Sequence, residues 1–381
     1  MKKKIAKFTW LHNGNYGSLL QAVALQKFLT AHGYDVTDVD YAASLMTKLL
    51  NWWKNKNSPM LFVQKFNEAT RKRRCPHLEL FSQREKKMDE FRRKHLKLTP
   101  LCQTPKEVKE AATNFDIFIC GSDQIWSPAL MNPVYFLDSV PNNKVKIAYA
   151  PSFGVTETTE RKKKQISKYL KAFDYLSVRE LEGQKLIHTL IGQEVPIQVD
   201  PTMLITKEQW EALAGTPLET KPYIFCYLLT PNSHYIQAVQ RFARKKRLPV
   251  ILIPTAKGPF DTGFEERVAA GPTEWLNYIE NASYVCTDSF HGCIFSAIFE
   301  KDFVLFKRFS DKSKTSENSR VYTLSQLLGI EGRLLGQDQL KDFDQLPPLD
   351  FERIRSVIEH KAKSSAEWLL KILETECRKK E

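Results

Sequence analysis

One histidine, His291, stands where an apolar stretch, Tyr284 to Thr287, turns through Asp288-Ser289-Phe290 and runs on past Gly292 into a second apolar stretch, Ile294 to Phe299. That order puts the imidazole at the carboxyl end of a strand and the amino end of a helix, the crevice where open α/β sheets take their ligands. Backbone N–H groups at a helix start lack intrahelical partners and attract anions. An imidazole titrates near neutral pH, so beside such a cradle it can move protons on a phosphorylated or carboxylated substrate. The competing reading is a buried histidine hydrogen-bonded within its own loop. Asp288 either orients the ring or caps the helix.

The elements that must position His291 can be read from periodicity. Ile5 to Leu11 reads as a strand, His12-Asn13-Gly14-Asn15-Tyr16-Gly17 as a loop and Ser18 to His32 as a helix closed by Gly33, with Asp35 to Tyr41 as the next strand. This βαβ unit predicts a parallel sheet with a right-handed crossover. Further strands are expected at Phe115–Cys120, Lys146–Ala150, Tyr175–Arg179 and Pro196–Val199, most of them running into loops rich in Gly, Ser, Asp or Asn. Prolines and glycine interrupt the pattern between Asp200 and Pro222, after which strands Tyr223–Leu229 and Val250–Pro254 flank a helix at Ser233–Lys246. A strand at Phe303–Phe306, a helix at Thr323–Leu328 and a long amphipathic helix over 351–376 complete the pattern. The expectation is an α/β protein of two Rossmann-like domains with parallel sheets, 1–200 and 201–345, facing each other across a cleft. Residues 346–381 are expected to form a helix that packs back on the first domain.

The chain has 381 residues, enough for two domains with cores of their own. Its 57 Lys and Arg against 44 Asp and Glu leave +13, with clusters at Lys2–Lys4, Arg71–Arg74, Lys162–Lys164, Arg244–Arg247 and Arg378–Lys380. Such clusters attract anionic partners or form solvated helix faces. Residues 44–98 mix lysine and arginine with Leu49, Leu50, Trp52, Trp53, Met60, Leu61 and Phe62, and read as a helical excursion. It either lies on an anionic membrane surface or caps the cleft. Seven scattered cysteines without zinc spacing point to reduced thiols in a cytoplasmic protein and to no metal. No apolar run is long enough for a membrane span.

Six segments taken together resemble the polysaccharide pyruvyl transferase family, over about Ile5 to Leu328. They are Asn13 to Ser18, Cys120 to Trp126, Tyr149 to Gly154, Ser177 to Glu180, Val199 to Thr202 and Thr287 to Gly292. The resemblance implies a GT-B-like pair of domains and transfer of the pyruvyl group of phosphoenolpyruvate to sugar hydroxyls as a cyclic ketal. It implies no resident cofactor, since phosphoenolpyruvate is the donor substrate, and an acceptor that is a sugar or a lipid-linked oligosaccharide. His291 and Asp123 are then the expected acid/base residues. Arg179, Ser289, Phe290, His291 and Gly292 are expected around the donor, and Asn13, Asn15, Tyr16, Tyr149 and Ser152 around the acceptor. In better-known members an arginine stands where this chain has Ser289. Arg320, with Asn318, is the expected replacement, from a polar loop before the helix at 323–328. Two other classes share some of these features. A GT-B glycosyltransferase using a nucleotide sugar would touch its nucleotide near Gly271-Pro272 or Glu274. A non-catalytic nucleic-acid binder is suggested by charge alone, without a binding motif.

Overall fold

The computed structural model describes residues 3–55, 77–230, 232–255, 262–309, 318–341 and 343–379. Met60, Leu61, Phe62, the Arg71–Arg74 cluster, Cys75, Ser316 and Glu317 lie outside the described residues, as do the side chains of Trp52 and Trp53. The first half contains β1 (Lys4–Phe8), α1 (Tyr16–Ala31), β2 (Asp35–Asp38), α2 (Leu45–Asn55), α3 (Leu78–His95), α4 (Pro105–Ala111), β3 (Ile117–Cys120), β4 (Val145–Ala148), α5 (Glu160–Leu170), β5 (Tyr175–Leu176), α6 (Leu181–Ile191) and α7 (Lys207–Ala214). The second contains β6 (Ile224–Tyr227), α8 (Ser233–Lys246), β7 (Val250–Leu252), β8 (Glu265–Glu266), α9 (Pro272–Glu280), β9 (Tyr284–Thr287), α10 (Phe290–Ile298), β10 (Asp302–Phe306), α11 (Ser319–Leu328), β11 (Leu334–Leu335) and α12 (Phe351–Arg378).

Both sheets are parallel throughout. Central strands such as β3 (IFIC) and β6 (IFCY) are buried along their whole length, as expected where helices cover both faces of a sheet. The first sheet runs β2-β1-β3-β4-β5, so its order reverses between β1 and β3. The second runs β11-β10-β9-β6-β7-β8 and reverses between β6 and β9. Loops leaving the carboxyl ends of strands at such a reversal diverge, and the gap between them is where ligands bind.

Two expectations need correction, and two strands went unexpected. Pro196–Val199 is not a full strand, because Pro196 has no N–H to give and only one bridge, Val178 to Ile197, forms. The helix expected at Thr323 begins at Ser319, which places Arg320 in its first turn instead of in a loop. The two-residue edge strands β8 and β11 were too short for any periodicity to reveal.

Helices tie the two halves together. From α3, Arg84 donates to the carbonyls of Val268 (2.7 Å) and Pro254 (2.8 Å), and Lys87 pairs with Glu274 on α9. The same helix sends Arg92 to Asp40, beyond β2. Thus the described part of the 44–98 excursion includes a strut between the sheets. The α12 helix spans both halves: Arg355 pairs with Glu300 (2.5 Å), the Ser365 hydroxyl accepts from the Val199 N–H (3.1 Å), and Glu376 accepts from the Tyr175 hydroxyl (2.6 Å).

Candidate active site

Loops from both reversal points meet in one cleft. Asn13, Asn15 and Ser18 follow β1, Asp123 and Gln124 follow β3, and Leu229 follows β6. His291 with Asp288, Ser289 and Phe290 follows β9, and Arg308 follows β10. Three of the lining residues, Asn15, Ser289 and Asn318, immediately precede α1, α10 and α11. The cleft is therefore faced by three helix N-termini, each with the partial positive charge of a helix's amino end. The Asn15 side chain takes the Gly17 N–H at 2.9 Å, and the Ser289 hydroxyl takes the Gly292 N–H at 3.2 Å. Ser289, where an arginine is expected by resemblance, thus acts as a helix cap.

His291 is buried, with only 5% of its surface exposed. Its Nε2 stands 3.4 Å from Asp200 Oδ2, which also accepts from Arg179 Nη1 at 2.5 Å. The other Asp200 oxygen accepts from the Thr202 N–H (3.1 Å) and hydroxyl (2.9 Å). Burial alone would raise the Asp200 carboxyl, but His291, Arg179 and the Thr202 N–H hold it below the usual carboxylate range. Nδ1 of His291 lies against Gly17, where a Cβ would overlap both Nδ1 and Cγ. A glycine in the first turn of α1 is thus what admits the ring from the other sheet.

Several residues expected at the site sit behind it. Arg179 is occupied by Asp200, approaches Asp123 at 3.7 Å and lies 4.3 Å from the Phe290 ring centre, outside the cleft lining. Ser152 gives its hydroxyl to Glu180 at 2.9 Å, and Tyr149 is buried beside Asp200, which with burial pushes its hydroxyl well up. Tyr16 spans the domain junction, donating to the Ala270 carbonyl at 2.6 Å and stacking on Trp275. Burial pushes its hydroxyl up to about 12, which removes it from acid/base work near neutrality. Gly292 lies against Thr287, where a Cβ would fall 2.6 Å from the hydroxyl oxygen. Asp288 neither caps α10 nor faces His291. Its oxygens accept from the N–H groups of Leu229 (2.6 Å) and Thr230 (2.9 Å), pinning the β6 loop. Burial pushes its carboxyl up to about 6, against the pull of Arg308 and those N–H groups. Glu274 is engaged by Lys87 and accepts from the Gly271 N–H (3.0 Å), so both serve the domain junction.

Two arginines line the cleft. Arg320 lies 5.9 Å from the Phe290 ring centre, and Arg308 is steadied by a 3.1 Å bond from Nε to the Thr230 hydroxyl. On the opposite wall, Asp123 accepts from the Ser18 hydroxyl and from the Gln124 N–H (2.8 Å), while Asn13 donates to Ser18 at 2.7 Å. Asn318 donates to the Phe309 carbonyl at 2.8 Å and so ties α11 to the segment after Arg308. Sequence reasoning missed Asp200 as the partner of His291, and missed Arg308. The second had a signal, since it stands two residues beyond an apolar strand. Among the described residues no group of three His, Cys, Asp or Glu could hold a metal ion, and no helix is long and apolar enough to cross a membrane.

The fold is similar to those of several solved enzymes. UDP-GlcNAc 2-epimerase from Methanocaldococcus jannaschii, in complex with UDP-GlcNAc and UDP, is 10% identical, with 98% of this chain and 100% of that chain covered and a TM-score of 0.51. The Rickettsia bellii UDP-N-acetylglucosamine 2-epimerase is 9% identical over 99% of this chain and 97% of that one, with a TM-score of 0.51. Arabidopsis thaliana UGT89C1 complexed with UDP-L-rhamnose is 9% identical over 99% and 100%, with a TM-score of 0.54. At such identities the likeness is one of fold, and the fold is GT-B-like. No curated protein sequence matches the chain. A model of the polysaccharide pyruvyl transferase family matches residues 15–308, from Asn15 at the end of the β1 loop through the β3 and β9 loops to Arg308, and the chain belongs to that family.

Proposed function

We propose that the chain transfers the pyruvyl group of phosphoenolpyruvate onto two hydroxyls of a glycan or glycan precursor, forming a cyclic ketal and releasing phosphate. The observation that supports this reading is the convergence of three helix N-termini, Arg308, Arg320 and His291 on one cleft. The donor carries a carboxylate and a phosphate, and guanidinium groups and helix N-termini favour both in a site partly screened from water.

In this reading His291 supplies the proton exchanged with the donor, and Asp200, 3.4 Å from Nε2, steadies its ring. That proton passes to the enol methylene carbon, whose π pair forms the new C–H bond. Positive charge develops on the adjacent carbon and is shared with its oxygen. A sugar hydroxyl attacks this carbon and gives its proton to Asp123. The carbon–oxygen bond to phosphate breaks, and the phosphate leaves with the proton Asp123 took. The second hydroxyl then closes the ring and returns a proton to His291. Asn13, Asn15 and Ser18 are neutral donors and acceptors suited to orienting sugar hydroxyls.

The test is to incubate the protein with phosphoenolpyruvate and a panel of glycosides, following phosphate release and ketal formation together. Formation of both in equal amounts is expected. Release of nucleotide from a UDP-sugar, with no phosphate from phosphoenolpyruvate, would replace this reading with glycosyl transfer.

A further inference from the structure

Helix α2 carries an apolar face that none of the described residues covers. Leu45 is 75% exposed, Met46 67%, Leu49 38% and Leu50 50%, while Thr47 faces inward and is buried. Four of the exposed large apolar side chains of the described residues thus fall within six positions of one helix. Soluble surfaces seldom leave such a group open unless something docks there. The charge of the sequence that runs through it and on from it identifies the occupant. Lys48 is exposed between the leucines, and residues 45–76 contain eight Lys and Arg against one Glu, a large part of the chain's +13. Trp52 and Trp53 follow in the same helix, and tryptophan is favoured at the boundary between water and lipid.

We infer that α2 lies on the surface of a bilayer rich in anionic lipid, with its leucines and Met46 at the boundary between headgroups and acyl chains and Lys48 against the headgroups. An apolar face beside concentrated positive charge is what holds an interfacial helix. Nucleic acid would use the charge but leave the leucines in water.

The position of α2 links this surface to the cleft. The helix starts shortly after Asp40, whose carboxylate meets His12 Nε2 at 2.5 Å, next to Asn13 of the cleft wall. A bilayer under α2 therefore brings the wall assigned to the acceptor close to a glycan carried on lipid. This last step rests on the pyruvyl-transfer reading, whereas the docking itself does not.

The test is co-sedimentation of the full chain with vesicles of phosphatidylcholine alone or containing phosphatidylglycerol, without substrates. The wild-type protein is expected to bind only the anionic vesicles and to release as salt rises. The variant Leu45→Asn/Leu49→Asn/Leu50→Asn should lose at least about tenfold in bound fraction, with an unchanged melting temperature, since these side chains are exposed. Failure to bind anionic vesicles, equal binding to neutral ones, or full binding by the triple variant would overturn the inference. So would concentration-dependent self-association of wild type that the variant abolishes, which would make this face a subunit contact. Phosphoenolpyruvate-dependent transfer to a soluble glycoside reports separately on the cleft.

Discussion

Two strand-turn-helix units face each other across the cleft, built alike and furnished differently. In β1–α1 the turn carries Asn13 and Asn15 and is backed by Ser18 and Asp123. In β9–α10 the turn carries Ser289, the first helical turn carries His291, and both are backed by Arg308 and Arg320. Both helices are capped by a side chain of the turn, Asn15 in one and Ser289 in the other. The difference lies in charge: one wall is neutral to acidic and rich in hydrogen-bonding groups, while the other is cationic with a proton carrier. The scaffold supplies positive helix ends to both walls, and the side chains decide which wall suits a sugar and which an anion. Gly17 is the point where the walls touch, since only a residue without Cβ lets the His291 ring lie against α1.

This asymmetry can be broken from either side. Replacing the proton carrier, His291→Ala, is expected to lower the transfer rate by about 10²–10⁴-fold, the usual worth of general acid–base catalysis, measured as ketal formed per minute. Asp200→Asn leaves Arg179 buried without its counter-charge, and should cost about 3–5 kcal/mol in denaturant unfolding. Because Asp200 is held below the usual carboxylate range, the stability it contributes is complete above about pH 4. It is lost as pH falls through the folded-state pKa, so the variant should show a flatter acid limb. At the contact between the walls, Gly17→Ala pushes on the imidazole and should cost about 1–3 kcal/mol, with a drop in transfer rate that a melting curve alone would not reveal. The smallest effect is expected from Asn15→Ala, which removes the α1 cap at about 1 kcal/mol. It should raise the KM for the glycoside while leaving that for phosphoenolpyruvate unchanged.

Much of this arrangement was legible in the sequence because parallel strands buried on both faces are short apolar runs, and those runs end in polar loops. The observed strands stop earlier than the apolar runs do. Leu11 and Ile253 lie beyond β1 and β7 but remain buried, so burial extends past pairing and periodicity overshoots. The partner of His291 was beyond reach for a different reason. Asp200 and His291 belong to different halves of the chain, and nothing local to either records that they meet. Arg179 shows the converse, since its place at the end of a strand suggested a ligand contact. The tertiary structure gives it Asp200 instead, and places Arg308 and Arg320 in the cleft lining. The second of these sits in a helix turn that sequence reading took for a loop.

The central claim is that the cationic wall holds phosphoenolpyruvate, and calorimetric titration of phosphoenolpyruvate into wild type and into Arg308→Ala/Arg320→Ala tests it most directly. The account predicts saturable binding to wild type and at least about a tenfold loss of affinity in the double variant, each charged hydrogen bond being worth about 1.5–3 kcal/mol. Binding that is equally tight in both proteins, or absent from the wild type, would contradict it.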